Sequence, residues 1–226
     1  DPKYGRYASD VYSASIVNGS WDNVQSLGGN LNSIKDDQVL DFSSDGQSLL
    51  LWKSVNGYSG NVIVDTFSND GKVRRGLFPA PISGKQGDGG LFYYNDTTIL
   101  FYSNRPGGFG GMDLYAAFQN NEGWTKAFNL GPDINSTYDE VSPFLSADGS
   151  TLYFASNRLE SIGGFDVFKS TFEVGRHQWG QPSNLGAPIN SGRDDFQLRL
   201  DSRGLQGYLT SNRPNGQGQL DIYVVY

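Results

Sequence analysis

Residues 10–33 (DVYSASIVNGSWDNVQSLGGNLNS), 112–136 (MDLYAAFQNNEGWTKAFNLGPDINS) and 165–191 (FDVFKSTFEVGRHQWGQPSNLGAPINS) are three copies of one pattern. In each, a Trp (Trp21, Trp124, Trp179) is followed six residues later by Leu (Leu27, Leu130, Leu185) and six later again by Ser (Ser33, Ser136, Ser191). A fourth copy has Gly71 at the Trp position and keeps Leu77 and Ser83, so successive Ser markers stand 50, 53 and 55 residues apart. A chain that repeats itself every ~50 residues must stack equivalent supersecondary units, because one such unit cannot bury its apolar face alone.

The second half of each unit begins three residues after the Ser. DDQVLDFSSDGQSLLLWKS, QGDGGLFYYNDTTILFYSNR, DEVSPFLSADGSTLYFASNR and DDFQLRLDSRGLQGYLTSNR align without gaps. Small turn residues (Asp45-Gly46, Asn95-Asp96, Asp148-Gly149, Arg203-Gly204) separate two apolar runs, which predicts a hairpin. A third strand follows as DLYAAF, DVFKSTF or DIYVVY, and a fourth begins near each Trp. Four short strands per unit predict an all-β fold, a β-propeller of four-stranded blades, and the lack of sustained 3.6-residue periodicity predicts essentially no helix.

The third-strand pattern occurs five times, at Asp10, Asn61, Asp113, Asp166 and Asp221, but the first and second strands occur only four times. One propeller domain over 1–226 therefore divides into a partial blade at 1–33 and blades at 34–83, 84–136, 137–191 and 192–226. That predicts five blades, the first incomplete here, in a chain excised from a longer multidomain protein. The alternative is four blades, the last closed by the Trp21 strand.

Composition removes several function classes. A formal charge of −7 and a pI near 4.6 exclude a nucleic-acid partner, which would need clustered Lys and Arg. With no Cys there is no disulfide, thiolate nucleophile or Cys-type zinc site. No segment reaches the ~18 consecutive apolar residues of a membrane helix, so direct membrane insertion is not expected. Nothing calls for a cofactor or a metal.

SNRPGGFGGMDLY (103–115) could be a phosphate-holding glycine loop, but such a loop runs into a helix, and DLYAAF reads as a strand. Its counterparts SNRLESIGGFDVF and SNRPNGQGQLDIY do not keep its glycines, which therefore read as slack in a hairpin. What recurs is Arg and Asp eight residues apart, and the spacing predicts structural ion pairs Arg105–Asp113, Arg158–Asp166 and Arg213–Asp221 across the hairpin. In the first full unit Val55 and Asn61 occupy those positions, so both partners are missing there.

The acidic pairs Asp36-Asp37, Asp139-Glu140 and Asp194-Asp195 open the first strand of their units, and the second unit offers Gln86-Gly87 instead. First strands line a propeller's channel, so these acids are a candidate channel-mouth cation or ligand site, or the acid and base of a glycosidase. Alternation along a strand points at most one of each pair inward, and bonding to backbone N–H groups of the adjacent loop is the competing reading. His177, the only histidine, lies on a polar connection and suits no triad. Trp21, Trp124 and Trp179 read as wedges between blades, and Asn18, Asn95 and Asn135 as turn residues. Trp52 breaks the repeat by aligning with Ala155 and is a candidate partner contact.

The run DEVSPFLSADGSTLYFASNR followed by GGFDVF resembles the TolB-type, WD-like β-propeller repeat. The longer cadence, SNRPGGFGGMDLY with W-x5-LG-x2-IN-S, resembles the version found in Bacteroidetes cell-envelope proteins of the OmpA family. That resemblance implies a non-catalytic scaffold in a periplasmic, outer-membrane-associated protein of the type IX secretion machinery. It implies other cell-envelope proteins as partners, with peptidoglycan reached only through a separate domain absent from this chain. The residues alone leave open a glycosidase-like propeller enzyme and a metal- or small-ligand-binding propeller.

Overall fold

A computed structural model describes residues 9–43, 45–55, 60–70, 72–82 and 87–226. The chain divides into two compact units, residues 1–87 and 88–226. In the first, the hairpin β1 (Tyr12–Val17) and β2 (Ser20–Ser26) precedes an antiparallel sheet of β3 (Asp37–Phe42), β4 (Ser48–Ser54), β5 (Gly60–Phe67) and β6 (Val73–Leu77), paired in chain order. Among the described residues the only α-helical segment is a single turn, α1 (Gly28–Leu31).

The second unit repeats the sheet. One blade holds β7 (Gly89–Asn95), β8 (Thr98–Ser103) and β9 (Asp113–Asn120), with its fourth strand in two pieces, β10 (Gly123–Trp124) and β11 (Phe128–Asn129). The next holds β12 (Glu140–Leu145), β13 (Thr151–Ser156) and β14 (Asp166–Glu173), with β15 (Gln178–Trp179) and β16 (Ser183–Asn184) as its fourth strand. The last holds β17 (Asp195–Leu200), β18 (Gly207–Ser211) and β19 (Asp221–Val225). The chain is thus an all-β propeller, as the repeats predict, with three blades of four strands and a last one of three among the described residues.

The apolar residues of alternate positions fill the space between sheets. Leu100, Leu114 and Ile134 pack with Leu152, Phe154 and Phe168 of the following blade, and Val167 packs with Leu198 and Leu209 of the one after. In the first unit Val11 packs on Leu49 and Leu51.

The β12–β13 turn shows how local residues set the hairpin. Gly149 takes φ +73°, and Asp148 accepts hydrogen bonds from Ser146 Oγ (2.5 Å), Ser150 N (3.0 Å) and Ser150 Oγ (2.9 Å). These bonds, the Ser146 hydroxyl first among them, lower the Asp148 pKa from 3.8 to about 2. Because the folded pKa is the depressed one, the turn's contribution is present above pH 3.8 and is lost as pH falls from there through about 2. Ser146→Ala is expected to raise the Asp148 pKa toward its ordinary value in an NMR titration of the carboxyl carbon; an unchanged midpoint contradicts the assignment.

The β7–β8 turn is shorter. Asn95 pairs directly with Thr98, whereas the β12–β13 ladder stops at Leu145 and Leu152. Gly89 therefore faces Tyr102 where Val141 faces Ala155, one residue off the gapless alignment. The residue equivalent to Glu140 is Asp88, not Gly87.

Candidate functional site

Arg158 leaves the end of β13 and turns back to the first strand of its own blade. Its Nη2 donates to Glu140 Oε1 at 2.9 Å and to the Ile134 carbonyl at 2.7 Å, and its Nε to Ser156 Oγ at 3.3 Å. Glu140 also accepts from Ser136 N, Ser136 Oγ and Ser156 Oγ. The last blade repeats this with Arg213 on Asp195 (2.6 Å), the Ile189 carbonyl (2.6 Å) and Ser211 Oγ (3.0 Å). In the β7–β11 blade Arg105 reaches Asp88 (2.8 Å) and Ser103 Oγ (3.0 Å). The guanidinium of Arg105 sits 5.0 Å from the centres of the Phe101 and Tyr115 rings, and that of Arg158 sits 5.2 and 5.1 Å from Phe154 and Phe168. All three acids are buried.

The pairs expected from the eight-residue spacing, Arg105–Asp113, Arg158–Asp166 and Arg213–Asp221, are corrected by this geometry. The aspartates are already engaged. Asp113 accepts from Phe109 N (2.6 Å), Gly110 N (3.0 Å) and Asn129 Nδ2 (2.9 Å), and Asp166 from Ile162 N (2.6 Å), Gly163 N (3.3 Å) and Asn184 Nδ2 (2.6 Å). Each closes its own loop. The acid on the first strand stands opposite the second strand's Ser (Glu140 faces Ser156), is desolvated and needs a cation.

The first unit has its pair after all. Lys53, at the position of Ser156, donates to Asp37 Oδ1 at 2.9 Å and to the Leu31 carbonyl, and Leu31 is the counterpart of Ile134. One ammonium thus replaces both the Ser and the Arg of the other blades, which is why Val55 can stand where the Arg would be. Lys53→Ala leaves Asp37 without its cation and is expected to cost about 2 kcal/mol in urea unfolding. Adding Lys53→Ser and Val55→Arg together should restore most of that stability; no recovery contradicts the equivalence.

The outer member of each acidic pair joins one repeat to the next. Asp139 Oδ1 accepts from Met112 N (2.8 Å), Asp194 Oδ1 from Phe165 N (3.0 Å) and Asp36 Oδ1 from Ser9 N (3.0 Å). The inner member's N–H returns the contact to the same residue's carbonyl: Glu140 to Met112, Asp195 to Phe165, Asp37 to Ser9. Among the described residues no group of three His, Cys, Asp or Glu could hold a metal ion.

The loop glycines are also corrected. Gly110 and Gly163 sit three residues before Asp113 and Asp166, with φ outside the left-handed region. A Cβ on Gly110 would lie 2.6 Å from the Ser136 carbonyl oxygen, and one on Gly163 2.6 Å from Arg193 N and 2.7 Å from the Ser191 carbonyl oxygen. They are close-approach glycines that let the loop rest on the start of the following blade.

Asn135, expected as a turn residue, is buried and pairs with the third strand, taking a hydrogen bond from Leu114 N (2.8 Å) and giving one to Leu114 O (3.0 Å). Asn190 does the same with Val167 and Asn32 with Val11. The Asn that recurs before Ser33, Ser136 and Ser191 was the available signal; Ile82 stands in its place before Ser83. Asn18 does lie in a turn, whereas Asn95 is the last residue of β7, its side chain accepting from Thr97 N in the turn that follows (3.0 Å). Trp179 joins the cluster shared by two blades, Trp124 stands edge-on to Tyr93, and Trp21 is exposed. Trp52 is half-buried with its indole ring over Gly60. His177 is exposed in a turn. On β5, Asp65 holds Arg75 of β6 in a two-pronged pair (2.7 and 2.5 Å), and these bonds raise the Arg75 pKa above its ordinary value.

No protein-family model and no curated protein matches the chain. Among solved structures it is similar to TolB from Acinetobacter baumannii, at 13% identity and a TM-score of 0.52, over 89% of this chain and 43% of that one. A Mycobacterium tuberculosis puromycin-hydrolyzing peptidase (14% identity, TM-score 0.49, 89% of this chain and 28% of that) and the NanB sialidase from Streptococcus pneumoniae (10%, 0.47, 93% and 34%) also match. The chain spans less than half the length of the TolB chain. At that identity the likeness concerns architecture, and the architecture is a TolB-like β-propeller.

Proposed function

We propose that the chain is a non-catalytic protein-interaction scaffold within a periplasmic, outer-membrane-associated protein that serves type IX secretion beside other cell-envelope proteins. The repeat cadence, SNRPGGFGGMDLY with W-x5-LG-x2-IN-S, resembles that of the type IX secretion component PorE, and on this reading peptidoglycan is reached only through a separate domain. One observation carries the non-catalytic part: the acids that could do chemistry are spent on structure. Asp37, Asp88, Glu140 and Asp195 are buried against a Lys or Arg, and Asp36, Asp139 and Asp194 hold backbone N–H groups. A glycosidase needs carboxylates free to exchange a proton with substrate. Among the described residues no helix is long and apolar enough to cross a membrane.

The test is affinity capture from solubilised envelope of the source cells with residues 1–226 as bait, partners identified by mass spectrometry. Enrichment of outer-membrane-associated secretion components over cytoplasmic proteins is expected. Enrichment of none, or hydrolysis of aryl glycosides by the purified chain, overturns the reading.

A further inference from the structure

The first strands of the second unit share one irregularity. From Gly89 to Phe92, Val141 to Phe144 and Phe196 to Arg199, three steps along the first strand match two along the second, so β7, β12 and β17 carry the same bulge. The residue entering it, Gly90, Ser142 or Gln197, takes φ +53°, +53° or +56°. Glycine adopts such a φ without strain. Ser142 and Gln197 do not, and strained backbone of this kind clusters where a side chain is held for a ligand. The first unit's bulge, between Val39 and Asp41, contains no residue of positive φ.

Two hydroxyls at these bulges have no hydrogen-bond partner among the described residues. One is Ser142 Oγ, on a residue only 8% exposed. The other belongs to Tyr102, whose side chain crosses the first bulge: a Cβ on Gly89 would lie 2.5 Å from the Tyr102 hydroxyl, and one on Gly90 2.5 Å from its ring and 3.4 Å from Ser142 N. Burial raises the Tyr102 pKa. Neither oxygen is sealed, since among the described residues the fully enclosed side-chain polar atom without a partner is the Tyr223 hydroxyl. Unbonded hydroxyls in so enclosed a place call for a group that bonds them. Gln197 Oε1 accepts from Thr210 Oγ1 at 3.1 Å, which leaves its Nε2 hydrogens to offer. Two residues beyond Gly90, Ser142 and Gln197 stand Phe92, Phe144 and Arg199. The rings meet edge-on with centres 5.1 Å apart, and the Arg199 guanidinium lies 5.3 and 5.6 Å from those centres while Nη1 donates to the Leu198 carbonyl.

We propose that the bulges of β7, β12 and β17 bind a small carboxylate. Its oxygens accept from the Tyr102 hydroxyl, the Ser142 hydroxyl and Gln197 Nε2, and its apolar part rests on the Phe92 and Phe144 rings. The donor set selects the charge: all three groups have hydrogens to give, and bonds from such donors to an anion are stronger than to a neutral acceptor. Arg199 keeps its own contacts and favours negative charge from the next step of the strand. The acids of these strands do not oppose it, because Asp88, Glu140 and Asp195 are each balanced by an Arg. This site goes beyond the scaffold reading and does not depend on it.

The test is an NMR titration of isotope-labelled residues 1–226 with acetate and with acetamide, its neutral isostere. Acetate is expected to give saturable shifts at the Ser142 and Gln197 amides and at the Gln197 side-chain NH2, and acetamide none at equal concentration. Tyr102→Phe keeps the ring over Gly89 and Gly90, and Ser142→Ala removes only the hydroxyl. Each should weaken acetate binding about ten-fold, the loss of one hydrogen bond to a charged group, with the β13 amide shifts unchanged. No saturable response at the bulges, which would leave these hydroxyls to water alone, overturns the proposal. So does an equal response to acetamide, or undiminished acetate binding by both variants. None of these bears on envelope capture, so the two readings fail separately.

Discussion

Arg158→Ala is expected to lower the stability of the chain by about 3–5 kcal/mol, read as a drop in the urea midpoint with little change in slope. The guanidinium holds Glu140, the Ile134 carbonyl and Ser156 together and packs against the rings of both Phe154 and Phe168. Removing it leaves the Glu140 carboxylate buried, with three hydrogen-bond donors but no counter-charge. An unpaired buried charge costs more than the pair contributes, so Arg158→Met with Glu140→Leu should lose less than Arg158→Ala alone. The double-mutant cycle of Arg158 with Glu140 is expected to show coupling of about 2 kcal/mol or more, and the cycle of Arg158 with Asp166 much less. Strong coupling to Asp166 instead would contradict the pairing in the structure.

That contrast shows what the sequence could and could not reveal. Strand positions followed from the repeats because each blade restates them, and the Asp-Gly turns restate the chemistry of a tight hairpin. The importance of Arg105, Arg158 and Arg213 was legible for the same reason. Their partners were not, since eight residues of separation is as regular as the eighteen that separate Arg158 from Glu140 and Arg213 from Asp195, and the nearer Asp is the natural first choice. Pairing was decided by competition: loop N–H groups claim Asp166, whereas Glu140 is enclosed with one cation in reach. Two local irregularities concealed the rest. The shorter Asn95–Thr98 turn displaces Asp88 by one position, and Lys53 stands two residues before the place where an Arg was sought. Asp36, Asp139 and Asp194 could be read either as a ligand site or as backbone anchors; only their distances to Ser9, Met112 and Phe165 separate the two.

Gly163→Ala is expected to cost about 3 kcal/mol, although Gly→Ala in ordinary negative-φ backbone stabilises by about 0.4–1 kcal/mol through the unfolded chain. The sign reverses because the new methyl meets main chain: Arg193 N at 2.6 Å and the Ser191 carbonyl oxygen at 2.7 Å. Neither can yield alone. Phe165 N is tied to Asp194, Asp195 N to the Phe165 carbonyl, and Ser191 N to the Asp195 carboxylate that Arg213 holds, so separating loop from strand strains the last blade's ion pair as well. Amide exchange at Phe165 and Asp195 should accelerate in the variant while β12 and β13 keep their protection. Gly218 supplies the control within the same molecule. It stands three residues before Asp221, as Gly163 does before Asp166, but the nearest atom to its Cβ, the Leu220 carbonyl oxygen, is 3.5 Å away. Gly218→Ala should therefore be neutral or stabilising by less than about 1 kcal/mol. Equal losses at the two sites would mean that the cost is conformational and belongs to the loop; a loss confined to Gly163 assigns it to the seam where one blade rests on the next.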